Sequence, residues 1–212
     1  MAERLSADSE RGHDPMPASG AGHGGAGHGG AGEHHLVRDH GELWASAADR
    51  EAVAQLLGRS PRAAFRVAAR LADGSPLVIE NFPLLDDGTP MPTRFWLVGA
   101  RARTLVGRLE SAGGVDAAEA YVGLAALAEV HARYAAQRDV LLPVEHRGPR
   151  PSGGVGGTRL GVKCLHAHYA AFLAGGDDPV GRWVADRLVE DPLQVVGRTA
   201  RGDPGGGQEA DQ

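Results

Sequence analysis

Phe65-Arg66-Val67-Ala68-Ala69-Arg70-Leu71, followed by Ala72-Asp73-Gly74-Ser75-Pro76 and Leu77-Val78-Ile79, decides the fold class. Phe65, Val67, Ala69 and Leu71 alternate with Arg66, Ala68 and Arg70, the period-two pattern of a half-buried strand. Asp73-Gly74 is the strongest short hairpin signal, and Leu77-Val78-Ile79 supplies the return strand. A Pro- and Gly-rich turn from Pro83 to Pro92 leads into a third strand, Thr93-Arg94-Phe95-Trp96-Leu97-Val98. These segments predict a small antiparallel sheet of about three strands.

Working outward, Ala47–Leu57 reads as a short helix, with Ser46 and Asp49 in capping-box spacing and Gly58 as its stop. After the third strand, Leu105, Val106 and Leu109 mark a helix ending near Gly113. One long helix is expected from Asp116 to about Val140, with Tyr121, Leu124, Ala128, Ala132 and Ala135 along its apolar face. His131, Tyr134 and Arg138 share another face, suited to lining a pocket or bridging to the sheet. Residues 147–161 form a Gly/Pro-rich loop. Leu165, Tyr169 and Phe172 then follow helical spacing up to Gly175-Gly176, and Asp178-Pro179 are N-cap and N1 of a last helix through Leu188, where Trp183 is a packing residue. Strands followed by helices predict an α+β fold, with four to five helices on one face of the sheet.

Both ends differ from this middle. Residues 1–42 are rich in Gly, Ala, Ser, Pro and His, and residues 191–212 are similarly short of apolar side chains. Neither offsets an ordering cost of roughly 1–2 kcal/mol per residue, so both are expected to be disordered. Residues 43–190 have the size and apolar content of a single globular domain. The tail repeats Gly-Ala-Gly-His-Gly at 20–24 and 25–29, and His23, His28, His34, His35 and His40 suit either a loose divalent-metal chelate or a low-complexity extension.

The formal charge of −5, without a basic stripe, argues against nucleic-acid binding. No run reaches the ~18 apolar residues of a membrane span, and the N-terminus lacks the apolar core of a secretory signal. One cysteine forms no internal disulfide. The expectation is a cytoplasmic protein that does not insert into membranes.

The chemistry concentrates in Gly161-Val162-Lys163-Cys164-Leu165-His166-Ala167-His168. On a helix, Cys164 and His168 lie at i and i+4 on one face, a spacing for two ligands to one zinc, with His131 on a neighbouring helix as a third. Alternatively Cys164 is a nucleophile activated by a helix start, Lys163 and His166. A third reading uses the glycine-rich run Gly153–Gly161 and the helix start as a cradle for phosphate or carboxylate, with Arg159 and Lys163 adding charge and Arg59, Arg62 and Arg138 completing a clamp. Gly156 and Gly161 have the spacing of a P-loop's two glycines. Val162 before Lys163, and Cys164 in place of Ser or Thr, depart from that motif.

Gly58-Arg59-Ser60-Pro61-Arg62, Asp87-Gly88-Thr89-Pro90-Met91-Pro92-Thr93-Arg94-Phe95-Trp96-Leu97, His131-Ala132-Arg133-Tyr134 with Arg138, and the Gly161-to-His168 block together resemble the domain-of-unknown-function 501 family of high-GC bacteria. The resemblance covers roughly residues 50–188. It implies a lineage and a fold without an activity. Through gene neighbourhood it also implies a link to cell-division or polyphosphate proteins. The chain departs from the family pattern at Leu71 and Ala63, where relatives carry Cys and Gly, so a metal site needing a second cysteine is incomplete here.

Two functions stay open. One is a module binding a small anionic ligand or a protein partner through Arg59, Arg62, Arg138, Arg159 and Lys163. The other is a small metal- or thiol-dependent hydrolase centred on Cys164, His166, His168 and His131.

Overall fold

The computed structural model describes residues 44–188 and the backbone of Val195–Val196. The Gly/His-rich tail, and the C-terminal tail apart from Val195–Val196, lie outside the described residues.

Helix α1 (Ala47–Leu57) opens the domain as its capping signals require. Ser46 Oγ accepts from Asp49 N at 3.1 Å, and Gly58 closes the helix in the left-handed region at φ 69°. Strands β1 (Phe65–Leu71) and β2 (Pro76–Asn81) form the hairpin, and β3 (Phe95–Leu97) pairs with the far side of β2. All pairings are antiparallel. A two-residue strand β4 (Val195–Val196) joins the outer edge of β1 at Arg70 and Leu71, giving the order β3-β2-β1-β4.

The described residues form six α-helices, where four to five were expected. Helix α2 (Ala100–Ser111) ends before Gly113, and the long helix expected over 116–140 is two: α3 (Gly114–Val122) and α4 (Leu124–Asp139). Between them Gly123 takes φ 80° and ψ 149°, a conformation only glycine adopts without strain. The apolar face also differs from expectation. Tyr121 and Leu124 are 72% and 63% exposed, whereas Leu127, Val130, His131, Tyr134 and Arg138 form the buried face of α4. The reason lies in the polar members of that face, which find internal hydrogen-bond partners described below. Helices α5 (Leu165–Leu173) and α6 (Pro179–Arg187) complete the domain, and Asp178 caps α6 by accepting from Gly181 N at 2.9 Å.

The helices are not all on one side of the sheet. Val67, Ile79 and Trp96 are directly opposite one another across the three strands, so they share a face, and they pack with Val53 of α1 and with Phe65 and Val98. Ala69, Val78 and Leu97 share the other face, where α2 to α6 build the larger core around Leu127, Leu165, Tyr169 and Trp183. With both faces covered, every residue of β2 is buried. Among these is Glu80, ion-paired to both Arg66 and Arg94.

Candidate functional site

The buried face of α4 fastens the Gly/Pro-rich loop and β3 to the core. His131, Tyr134 and Arg138 sit at i, i+3 and i+7 and therefore point the same way. His131 Nδ1 accepts from Val155 N at 3.1 Å, which leaves its proton on Nε2 to donate to the Gly161 carbonyl at 2.9 Å. Tyr134 Oη accepts from Arg94 N at 2.6 Å and from Phe95 N at 3.3 Å, and burial pushes its pKa up to about 12. Arg138 donates to the carbonyls of Gly153 at 2.7 Å and Pro151 at 3.0 Å and pairs with Asp139 at 2.9 Å. The fit around His131 is tight: a Cβ on Gly154 would land on the Cα, Cβ and Nδ1 of His131.

The Gly161-to-His168 block is a bend running into α5, held by two carboxylates from other helices. Glu119 of α3 accepts from Val162 N at 2.8 Å, and Glu110 of α2 accepts from Leu165 N at 2.6 Å. Glu110 also receives His166 Nδ1 at 3.1 Å, while His166 Nε2 lies 3.1 Å from the Arg103 carbonyl. Both neighbours are acceptors, so the two bonds are made together only when both ring nitrogens carry protons. The helix start that sequence reading offered to an external anion thus already faces carboxylates of the chain's own.

Cys164 occupies the N-cap of α5 with extended backbone and is half-buried. Burial pushes its thiol pKa up. The nearby Glu110 charge adds to the rise, against the opposing pull of the Ala167 and His166 N–H groups and of Lys163. These conditions favour the thiol over the thiolate. His168, one turn further on, turns away to the buried Asp178, with its Nδ1 2.8 Å from Oδ2. Because a carboxylate only accepts, Nδ1 carries a proton. Its Nε2 is buried without a hydrogen-bond partner, and its ring stands 5.9 Å from that of His131. Among the described residues, no group of three or more His, Cys, Asp and Glu side chains is arranged to hold a metal ion.

The candidate cations divide into three places. Arg138 is buried and bonded to carbonyls. Arg59 and Arg62 belong to the α1–β1 connection, where Arg59 lies 5.4 Å from the Trp96 ring centroid and Arg62 pairs with Asp87 at 2.9 Å. Arg159 and Lys163 are exposed on the loop itself, on either side of the 81% exposed Leu160. The structure therefore gathers His131, Arg138, Arg159, Lys163, Cys164 and His166 around one loop and leaves Arg59 and Arg62 to the α1–β1 connection. A shallow pocket of about 40 Å³ lies elsewhere, between α4 and the α5–α6 turn, bordered by Arg133, Gln137, Asp177 and Asp178.

Glu110 and Glu119 are the residues that sequence reading misses. Each grips a backbone N–H, 55 and 43 positions away, so no local spacing signals them. No helix among the described residues is long and apolar enough to cross a membrane. Comparison with curated proteins and with solved structures finds no match. The model of the family described as protein of unknown function (DUF501) matches residues 67–186, which take in most of β1, His131, Tyr134 and Arg138 of α4, both clamping glutamates and the block they hold; the chain belongs to the DUF501 family.

Proposed function

We propose that this protein is a non-catalytic binding module whose recognition element is the loop over residues 155–163, and that it engages an anionic group on an acidic segment of a protein partner. The observation that carries this reading is Leu160, a large apolar side chain 81% exposed between two cations, on a loop tied down at both ends. An exposed leucine on a mobile loop means little. On a loop already ordered by His131, Arg138 and Glu119, it offers apolar contact without the ordering cost that binding otherwise incurs. Arg159 and Lys163 supply the charge that steers and orients an acidic partner. The side chains that a hydrolase would use face internal partners instead, and the Cys164 environment favours the neutral thiol.

The reading places the encounter in the cytoplasm, and cell-division and polyphosphate-handling proteins are the first candidates to assay. The direct test titrates the full chain with a poly-glutamate peptide and, separately, with inorganic tripolyphosphate. Binding should weaken as salt rises and disappear in R159E/K163E without loss of thermal stability. Leu160→Ser should weaken the peptide about ten-fold and leave tripolyphosphate unchanged. Wild-type protein that ignores both probes, or a charge-reversed loop that binds as well as wild type, would overturn the reading.

A further inference from the structure

Lys163 is the only lysine in a chain with 22 Lys and Arg residues. Among the described residues, carboxylates pair with arginine, or with the histidines His166 and His168, and not with lysine: Arg62 with Asp87, Arg66 and Arg94 with Glu80, Arg70 with Asp49, Arg138 with Asp139. Arginine offers more donors, a longer reach and a permanent charge. What a primary amine adds is nucleophilicity: it can lose its proton and form an amide, which a guanidinium does not do under the same conditions.

The position fits covalent chemistry from outside. The backbone of Lys163 is fixed between two clamps, Val162 N to Glu119 at 2.8 Å and Leu165 N to Glu110 at 2.6 Å. Its stem passes over Gly156, where an added Cβ would stand 3.7 Å from Lys163 Cβ and Cδ. The residue is exposed and has no hydrogen bond or ion pair among the described residues. Imine-forming lysines sit in water-excluding pockets, whereas this amine is open to a donor arriving from solution.

We propose that Lys163 Nζ is an acylation site served by an activated acyl donor, an acyl thioester or an acyl phosphate. The deprotonated amine attacks the acyl carbon, forming a C–N bond. The C–S or C–O bond breaks, and the thiolate or phosphate departs. The ammonium proton passes to solvent, and the loop loses one positive charge. Resting on the binding reading above, acylation then turns the loop from receptive to unreceptive toward acidic partners, a control that an arginine at 163 would forbid.

The test incubates the folded full chain with acetyl-coenzyme A in one arm and acetyl phosphate in the other. Peptide mapping after neutral hydroxylamine, which strips thioesters from Cys164 but spares amides, reads the adduct. The same map is made on protein isolated from the cells that produce it. The expected result is an amide on Lys163 in at least one arm and in the isolated protein. The acetylated chain should bind poly-glutamate about ten-fold more weakly, while K163R binds normally and is unaffected by either donor. Lys163 unmodified in the isolated protein and inert to both donors would overturn the site. Acetylation at Lys163 in a protein that never binds poly-glutamate would sink the binding reading alone.

Discussion

Replacing Arg138 by lysine keeps the charge and removes the fork, which isolates what the guanidinium does. Two of its bonds to loop carbonyls are short, 2.7 Å to Gly153 and 3.0 Å to Pro151. Two more, 3.4 Å to Pro92 and 3.5 Å to Ser152, lie beyond the usual N–H···O range and contribute little. A hydrogen bond from a charged donor is worth about 1.5–3 kcal/mol. A lysine ammonium in the same space reaches one of the two carbonyls, so R138K should lose about one bond, roughly 2 kcal/mol. Peeling the loop into water caps the loss, because freed carbonyls are then solvated. At roughly 2–4 °C per kcal/mol, R138K should melt about 4–8 °C below wild type. Hydrogen exchange supplies the local reading: Gly154 N, bonded to the Thr158 carbonyl, and Val155 N, bonded to His131, should exchange faster. A change below about 0.5 kcal/mol, or unaltered protection at Gly154 and Val155, would refute the account of Arg138 as the loop's main fastening.

Tyr134→Phe leaves Arg94 N and Phe95 N without their acceptor, and urea unfolding should show a loss of about 1–3 kcal/mol. Gly154→Ala drives a methyl into His131, and a loss of at least about 2 kcal/mol is expected, with the Val155 amide again losing protection. Glu110→Gln removes the charge that helps hold the Cys164 thiol up, so iodoacetamide should alkylate the variant faster than wild type at pH 7.5, whereas an unchanged rate would remove Glu110 from that balance. The Arg70 guanidinium beside Asp49 holds that carboxyl below its ordinary value, so the pair stabilises the fold above roughly pH 4 and the contribution fades as pH falls through the folded value. Arg70→Met should therefore cost about 0.5–1 kcal/mol at pH 7 and less at pH 3, compared by urea unfolding at both.

The hairpin and the helix ends were legible because their causes are local. Ser46, Gly58, Asp73-Gly74 and Asp178-Pro179 each act on backbone within a few residues, and each is found doing so. Gly123 was not legible, since a single glycine costs a helix only about 1 kcal/mol and an isolated one inside a helical pattern is tolerated. The apolar face of α4 misled for a different reason: alanines are ambivalent, so Ala128, Ala132 and Ala135 did not mark the buried side, whereas the His131-Tyr134-Arg138 face, suited to lining a pocket or bridging to the sheet, is the buried one. Its partners are carbonyls and amides of a distant loop and strand. The cluster of candidate residues around residues 153–168 was readable as a place, but Glu110 and Glu119, which determine how that place is held, were not.

The division of the interior by the sheet bears on how this domain accommodates change. Val78 and Ile79 are consecutive residues of β2, yet one packs in the larger core and the other in the pocket of apolar side chains beneath α1. A substitution at one alters contacts that the other does not share. Adjacent positions on this strand are therefore free to drift as though they belonged to separate proteins, whereas Ile79, Val67 and Trp96, remote in sequence, are bound to change together.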